Sequence, residues 1–162
     1  MHYFPYKFRW REKDQYVLWF ENDSDGVVTE RGSVLVFASK EFASDFAFEH
    51  DLPYSPSEAE IDLDWLATAQ FDQEIDCIRT LAAWNFFADV ASSMPEKATD
   101  FFALDRRPSE LYEKIFWGNN LPAVTPAGEH YAPHLSPAEL AEIEVILSAG
   151  LDLFTGNLKT AA

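Results

Sequence analysis

The 162-residue chain holds one cysteine, Cys77. No internal disulfide can form, a usage that suits a reducing compartment. It holds six glycines and none from Ser33 to Trp117, so that span offers no EF-hand loop. No Gly-x-Ser-x-Gly elbow, phosphate loop or dinucleotide fingerprint occurs anywhere. No run of about 18 apolar residues is present, so no spanning helix is expected. The opening Met1–Arg11 sets Lys7, Arg9 and Arg11 among aromatics, with no apolar stretch of a secretory signal after it. A cytoplasmic location is the expectation. The deepest shortage is of positive charge: 12 Lys/Arg stand against 28 Asp/Glu, a net −16. Such a chain repels phosphate, which argues against free-standing nucleic-acid binding and against docking on an anionic membrane.

What the chain has is apolar mass. Hydrophobic residues make up 48%, with 14 Phe, 6 Tyr and 5 Trp. Each aromatic can bury roughly 150–250 Å², so a folded core is expected despite the net charge. The length suits one domain, 1–162.

The charge is unevenly spread. Residues 1–40 balance six basic side chains (Lys7, Arg9, Arg11, Lys13, Arg31, Lys40) against six acidic ones. The whole excess lies in 41–162. From Glu41 to Asp76 no Lys or Arg occurs, and the carboxylates are Glu41, Asp45, Glu49, Asp51, Glu58, Glu60, Asp62, Asp64, Asp72, Glu74 and Asp76.

The pattern predicts strands first and helices after. Phe4, Tyr6, Phe8 and Trp10 alternate with Pro5, Lys7, Arg9 and Arg11, one aromatic face at period two. Tyr16–Phe20, Val27–Glu30 and Ser33–Phe37 follow, punctuated by Asp23-Ser24-Asp25-Gly26 and by Gly32. Ser39 predicts an N-cap for a helix over Lys40–His50, with Phe42, Ala43, Phe46 and Ala47 inward. Glu60–Trp65 alternates and reads as extended, followed by a weak helical stretch at 66–69. Ile75–Met94 predicts a largely buried helix stopped by Pro95. Pro108 opens a helix to about Trp117. Gly118–Leu135 is a long Pro/Gly loop, a length usually packed by its own side chains or functional. Ser136-Pro137-Ala138-Glu139 is a capping box for a helix over 137–149, capped by Gly150. The fold class is therefore α+β: an antiparallel β-meander in 1–38 and a mainly helical 39–162.

The carboxylate field is the first candidate site. In a helix, Glu41, Asp45 and Glu49 form one stripe of like charge, each pair costing roughly 0.2–0.5 kcal/mol. In an extended 60–65, Glu60, Asp62 and Asp64 share one face, and Ile61, Leu63 and Trp65 the other. One reading is a solvated face, or internal pairing with the six N-terminal basic residues. The other is a docking surface for a basic partner, which raises association rates by roughly 10–10³-fold in focused cases. Other chemistry finds less support. His130 and His134 are four apart, but Pro133 between them removes the helical zinc spacing. Cys77, in an apolar stretch beside Glu74 and Asp76, reads as core rather than nucleophile. No cofactor and no metal site is expected.

At Leu111-Tyr112-Glu113-Lys114-Ile115-Phe116-Trp117-Gly118-Asn119-Asn120-Leu121-Pro122 the chain resembles bacterial immunity proteins of contact-dependent growth inhibition and related polymorphic-toxin systems. The layout is similar too: a meander, a short helix after Ser39, the Asp62-Leu63-Asp64 segment, then helices. The resemblance implies a small cytoplasmic, non-enzymatic protein that binds one cognate toxin domain. Many such toxins are basic nucleases, to which an acidic surface is complementary. The expected toxin-binding residues are Asp45, Glu49, Glu58, Glu60, Asp62, Asp64 and Asp72, in a monomer or weak homodimer. The alternative is a small acidic enzyme or ligand-binding domain with Glu129, His130 or His134 in a site under the 118–135 loop. A further one is an adaptor that uses exposed aromatics.

Overall fold

In the computed structural model, which describes residues 1–162, the aromatic alternation becomes strand β1 (His2–Trp10), paired antiparallel with β2 (Lys13–Glu21). Arg11 and Glu12 turn the hairpin, both left-handed at φ 51° and 62°. A two-residue turn with both residues at positive φ matches the twist of a hairpin, although neither residue here is the favoured glycine or asparagine. The strands β3 (Gly26–Val27), β4 (Thr29–Glu30) and β5 (Ser33–Val36) follow. Helix α1 (Lys40–Glu49) is capped by the Ser39 hydroxyl, which accepts from the Phe42 N–H. Strand β6 (Ala59–Asp62) then leads into α2 (Leu63–Thr68), α3 (Cys77–Ser93), α4 (Thr99–Leu104), α5 (Glu110–Trp117), α6 (Pro137–Thr155) and strand β7 (Leu158–Thr160).

Two small sheets result, ordered β3-β2-β1-β6 and β4-β5-β7. The meander is antiparallel as expected, and two parallel pairings extend it: β6 on β1 and β7 on β5. Parallel partners arrive after long crossovers and leave no hairpin signal in the sequence. Both are short. The larger sheet is covered on its two faces. Tyr6 and Phe8 pack on Phe86 of α3 and Phe154 of α6, with ring centroids 4.9 and 5.0 Å apart. On the opposite face Leu18 joins Leu35, Phe37, Ala43 and Ala47 under α1. Ala43 and Ala47 are fully buried, so α1 sits close to the sheet through its smallest side chains.

Several boundaries differ from the sequence reading. The extended segment stops at Asp62, and Asp64 and Trp65 are helical. Asp62 switches the chain from strand to helix by accepting the Trp65 N–H at 3.0 Å, an N-cap geometry. Gly150 is not a cap: α6 continues through it to Thr155. A Cβ at Gly150 would overlap the Phe87 ring, so glycine there permits α6 to press on α3. Helix α5 begins after Ser109, whose hydroxyl caps Tyr112 N–H, rather than at Pro108. Helix α4, with Phe101 buried, carries no side-chain cap and was not foreseen. The Ser136/Glu139 capping box of α6 is formed in full.

Candidate protein-binding surface

The carboxylates between Glu41 and Asp76 divide into those occupied within the fold and those that are free. Asp64 is occupied. Its Oδ1 accepts the Arg11 N–H at 2.7 Å and its Oδ2 the Glu12 N–H at 2.8 Å. Arg9 Nε is 3.8 Å from Oδ2. One carboxylate thus satisfies both backbone donors of the left-handed hairpin turn, 52 residues away in sequence. Asp62 caps α2. Because Asp62 and Asp64 lie on either side of a strand-to-helix junction, the shared extended face of Glu60, Asp62 and Asp64 does not form.

Glu58 lies 3.7 Å from Lys7 Nζ and 3.2 Å from Lys40 Nζ. Glu60 pairs with Lys7 at 2.9 Å, and that hydrogen bond raises the Lys7 pKa. These pairs face solvent, which screens them, so they add little to stability. Internal pairing with N-terminal basic residues therefore accounts for Lys7, Arg9 and Lys40. Asp72 accepts the Glu74 N–H at 3.0 Å and holds the turn before α3.

Asp45 and Glu49 have no such task. With Glu41 they run along the solvent side of α1, and none of the three enters an ion pair. Beside them stand Phe42 and Phe48, 62% and 84% exposed. The sequence reading put Phe42 inward. The sheet instead takes Ala43 and Ala47 and leaves Phe42 in solvent. Phe42, Asp45 and Glu49 line one hollow of about 350 Å³, together with Phe46, Phe37 and Ala161. Sequence reasoning missed the two exposed phenylalanines. The signal was present as alternating small and large residues on one helix, Ala43 and Ala47 against Phe42 and Phe48.

The 118–135 loop is tied down by amide side chains. Asn119 Nδ2 donates to the carbonyls of Cys77 (3.1 Å) and Ile115 (2.8 Å). Asn120 Nδ2 donates to the Tyr131 carbonyl at 2.9 Å and its Oδ1 accepts the Tyr131 N–H at 2.6 Å, closing the loop on itself. Gln73 makes the same two-point contact with the backbone of Leu135. A Cβ at Gly118 would lie 2.6 Å from Cys77 Sγ. The Trp117-Gly118-Asn119-Asn120 run is thus an anchoring device. His130 lines two hollows: one of about 350 Å³ against the start of α3, and one of about 750 Å³ with Trp117 and Glu129. His134 lines neither and is exposed. No cluster of three or more His, Cys, Asp or Glu side chains is arranged to hold a metal ion. Cys77 is buried, and burial first, then Asp76, pushes its thiol pKa up. No helix is long and apolar enough to cross a membrane.

One carboxyl is neither surface nor cap. Asp89 of α3 is half-buried against the sheet and accepts the Trp19 Nε1–H at 2.8 Å. Burial pushes its pKa up to about 6, against the opposing pull of that hydrogen bond. Neighbouring Tyr6 is pushed up to about 12, by burial and then by Asp89.

No protein-family model and no curated protein matches the chain. Among solved structures it is similar to the C-terminal domain of SatS, solved in complex with bromine. The TM-score is 0.55 at 13% identity, covering 98% of this chain and 94% of that one. At that identity the likeness is one of overall fold alone.

Proposed function

We propose that the chain is a non-enzymatic immunity protein that binds and neutralises a basic toxin domain in the cytoplasm, with the outer face of α1 as its electrostatic docking surface. The observation that carries this reading is the free stripe Glu41–Asp45–Glu49 flanked by exposed Phe42 and Phe48. Like charges stacked on one helix oppose folding slightly, and two phenylalanines in solvent gain nothing for the monomer. Both features become favourable against a basic partner. Aromatics are enriched in interface cores, and close charge pairs across tight interfaces couple by roughly 1.5–7 kcal/mol. The resemblance around Trp117-Gly118-Asn119-Asn120 supports the immunity class, and the net −16 supports a basic, nuclease-type partner. Glu58, Glu60, Asp62, Asp64 and Asp72 contribute to the field, but each already holds an internal partner.

The test is calorimetric titration with basic nuclease-type domains, among them any that a gene adjoining this one encodes. The pair Asp45→Lys with Glu49→Lys is expected to weaken binding at least a hundredfold. Glu142→Lys, an equally exposed and unpaired site on α6, is expected to leave it within threefold. Equal losses for both variants would reduce the surface to bulk charge.

A further inference from the structure

Helix α1 carries more than a stripe of charge. Where it passes the ends of β5 and β7 lies the hollow of about 350 Å³, with Phe37, the residue after β5, and Thr160, the last of β7, on its far side. Three phenylalanine rings line it: Phe37, Phe42 and Phe46. Two of them are fixed. Phe37 is buried, and Phe46 tilts against it at 5.2 Å and stacks on His50 at 4.0 Å. His50 is held in turn, because its Nδ1–H donates to the Phe46 carbonyl at 2.9 Å. Phe42 is the exposed wall.

Asp45 and Glu49 are the only charged side chains on this lining, which holds no Lys, Arg or His. Neither enters an ion pair within the chain. They are one helical turn apart, so their Cβ atoms lie roughly 5–6 Å from each other. An apolar side chain seated here would strip water from both carboxylates and give nothing back. A long cationic side chain lays its carbon stem on the rings and brings its charge to the carboxylates. Lysine offers a compact, strongly hydrated charge. Arginine offers a planar, weakly hydrated one that stacks on rings and spreads five N–H donors, enough to reach two carboxylates at once. A second copy of this chain could present Arg106, which is exposed, but two chains of net charge −16 repel each other.

We infer that this hollow seats one arginine side chain of the basic partner, between the phenylalanine rings and the Asp45 and Glu49 carboxylates. The inference rests on the α1 reading and deepens it. The stripe draws a basic surface in, and the hollow holds it by a single residue of stated kind. Arginine is among the residue types that most often carry interface energy.

The experiment is an NMR titration of the full, isotope-labelled chain with three capped tripeptides. Each has glycine on both sides of a central arginine, lysine or citrulline, the last being the uncharged isostere of arginine. The arginine peptide is expected to give saturable shifts at the Phe42 and Phe46 rings and at the amides of Asp45 and Glu49. Its affinity is expected to exceed that of the lysine peptide at least threefold and that of the citrulline peptide at least tenfold. Phe42→Ala removes the exposed wall and is expected to weaken the arginine peptide at least fivefold with the melting temperature unchanged. Glu49→Gln keeps the shape and is expected to weaken the arginine and lysine peptides alike. Equal binding of arginine and either other peptide, shifts confined to other elements, or no saturable shift at millimolar peptide overturns the arginine seat. So do concentration-dependent shifts of the same signals without peptide, which would put a second copy in the hollow. The α1 surface is judged separately, by the charge reversals at Asp45 and Glu49 against a basic domain, and a failed seat leaves it standing.

Discussion

Replacing Asp64 by alanine isolates what one carboxylate does for the fold. In the native chain its two oxygens accept the Arg11 and Glu12 N–H groups at 2.7 and 2.8 Å, at a turn whose residues sit at φ 51° and 62°. A hydrogen bond to a charged group contributes about 1.5–3 kcal/mol. Water replaces part of that in a turn this exposed, so the pair is worth about 2 kcal/mol in total. For a chain of this size that lowers the melting temperature by about 4–8 °C. Asp64→Asn keeps one acceptor and is expected to lose about half as much. Asp45→Ala removes a side chain with no partner and relieves repulsion along Glu41–Asp45–Glu49, so its melting temperature is expected to stay level or rise by about 1 °C. Differential scanning calorimetry on the three variants measures this directly. Equal melting temperatures for Asp64→Ala and Asp45→Ala would refute the division between occupied and free carboxylates.

Other consequences concern the interior and the long loop. Asp89 titrates at about 6 in the fold against an ordinary 3.8, so the folded state holds its proton more tightly than the unfolded one. Its contribution therefore falls as pH rises from about 4 to 6, reaching a penalty of about 3 kcal/mol above that range. Asp89→Asn keeps an acceptor for Trp19 and is expected to stabilise the chain by up to about 3 kcal/mol at pH 7 and by almost nothing at pH 3.5, read from urea midpoints; destabilisation of equal size at both pH values contradicts this. Gly150→Ala drives a methyl group into the Phe87 ring and is expected to cost about 1–3 kcal/mol, although alanine is the better helix former by about 1 kcal/mol; a gain in stability contradicts a tight α3–α6 crossing. Asn120→Ala removes the clamp on Tyr131 and is expected to speed limited proteolysis between residues 121 and 130 at least fivefold; an unchanged rate means that the loop is held elsewhere.

Much of the fold was legible because its signals are local. The alternation of Phe4, Tyr6, Phe8 and Trp10, the Ser39 cap and the Ser136/Glu139 box each state a conformation within a few residues. What escaped is set by distant contacts. Strand β7 exists because β5 offers an edge to Leu158–Thr160, and α6 passes Gly150 because Phe87 lies across it. The site was half legible for the same reason. Composition and spacing located the acidic region. Only tertiary structure separates Asp64, committed to a turn 52 residues away, from Asp45, committed to nothing. The helical stripe at 41, 45 and 49 followed from periodicity, but the exposure of Phe42 depended on which side of α1 meets the sheet.

The central claim is that the free carboxylates of α1 draw in and hold a basic partner. Its most direct test is the association rate with a basic domain that binds in the calorimetric titration, measured by stopped flow from 0.05 to 0.5 M salt. The native protein is expected to slow at least tenfold as salt rises, because exposed charges are screened within roughly 10 Å at 0.1 M. The Asp45→Lys, Glu49→Lys variant is expected to start slow and stay nearly flat. A native rate that ignores salt, or a variant that follows the native curve, would contradict the account.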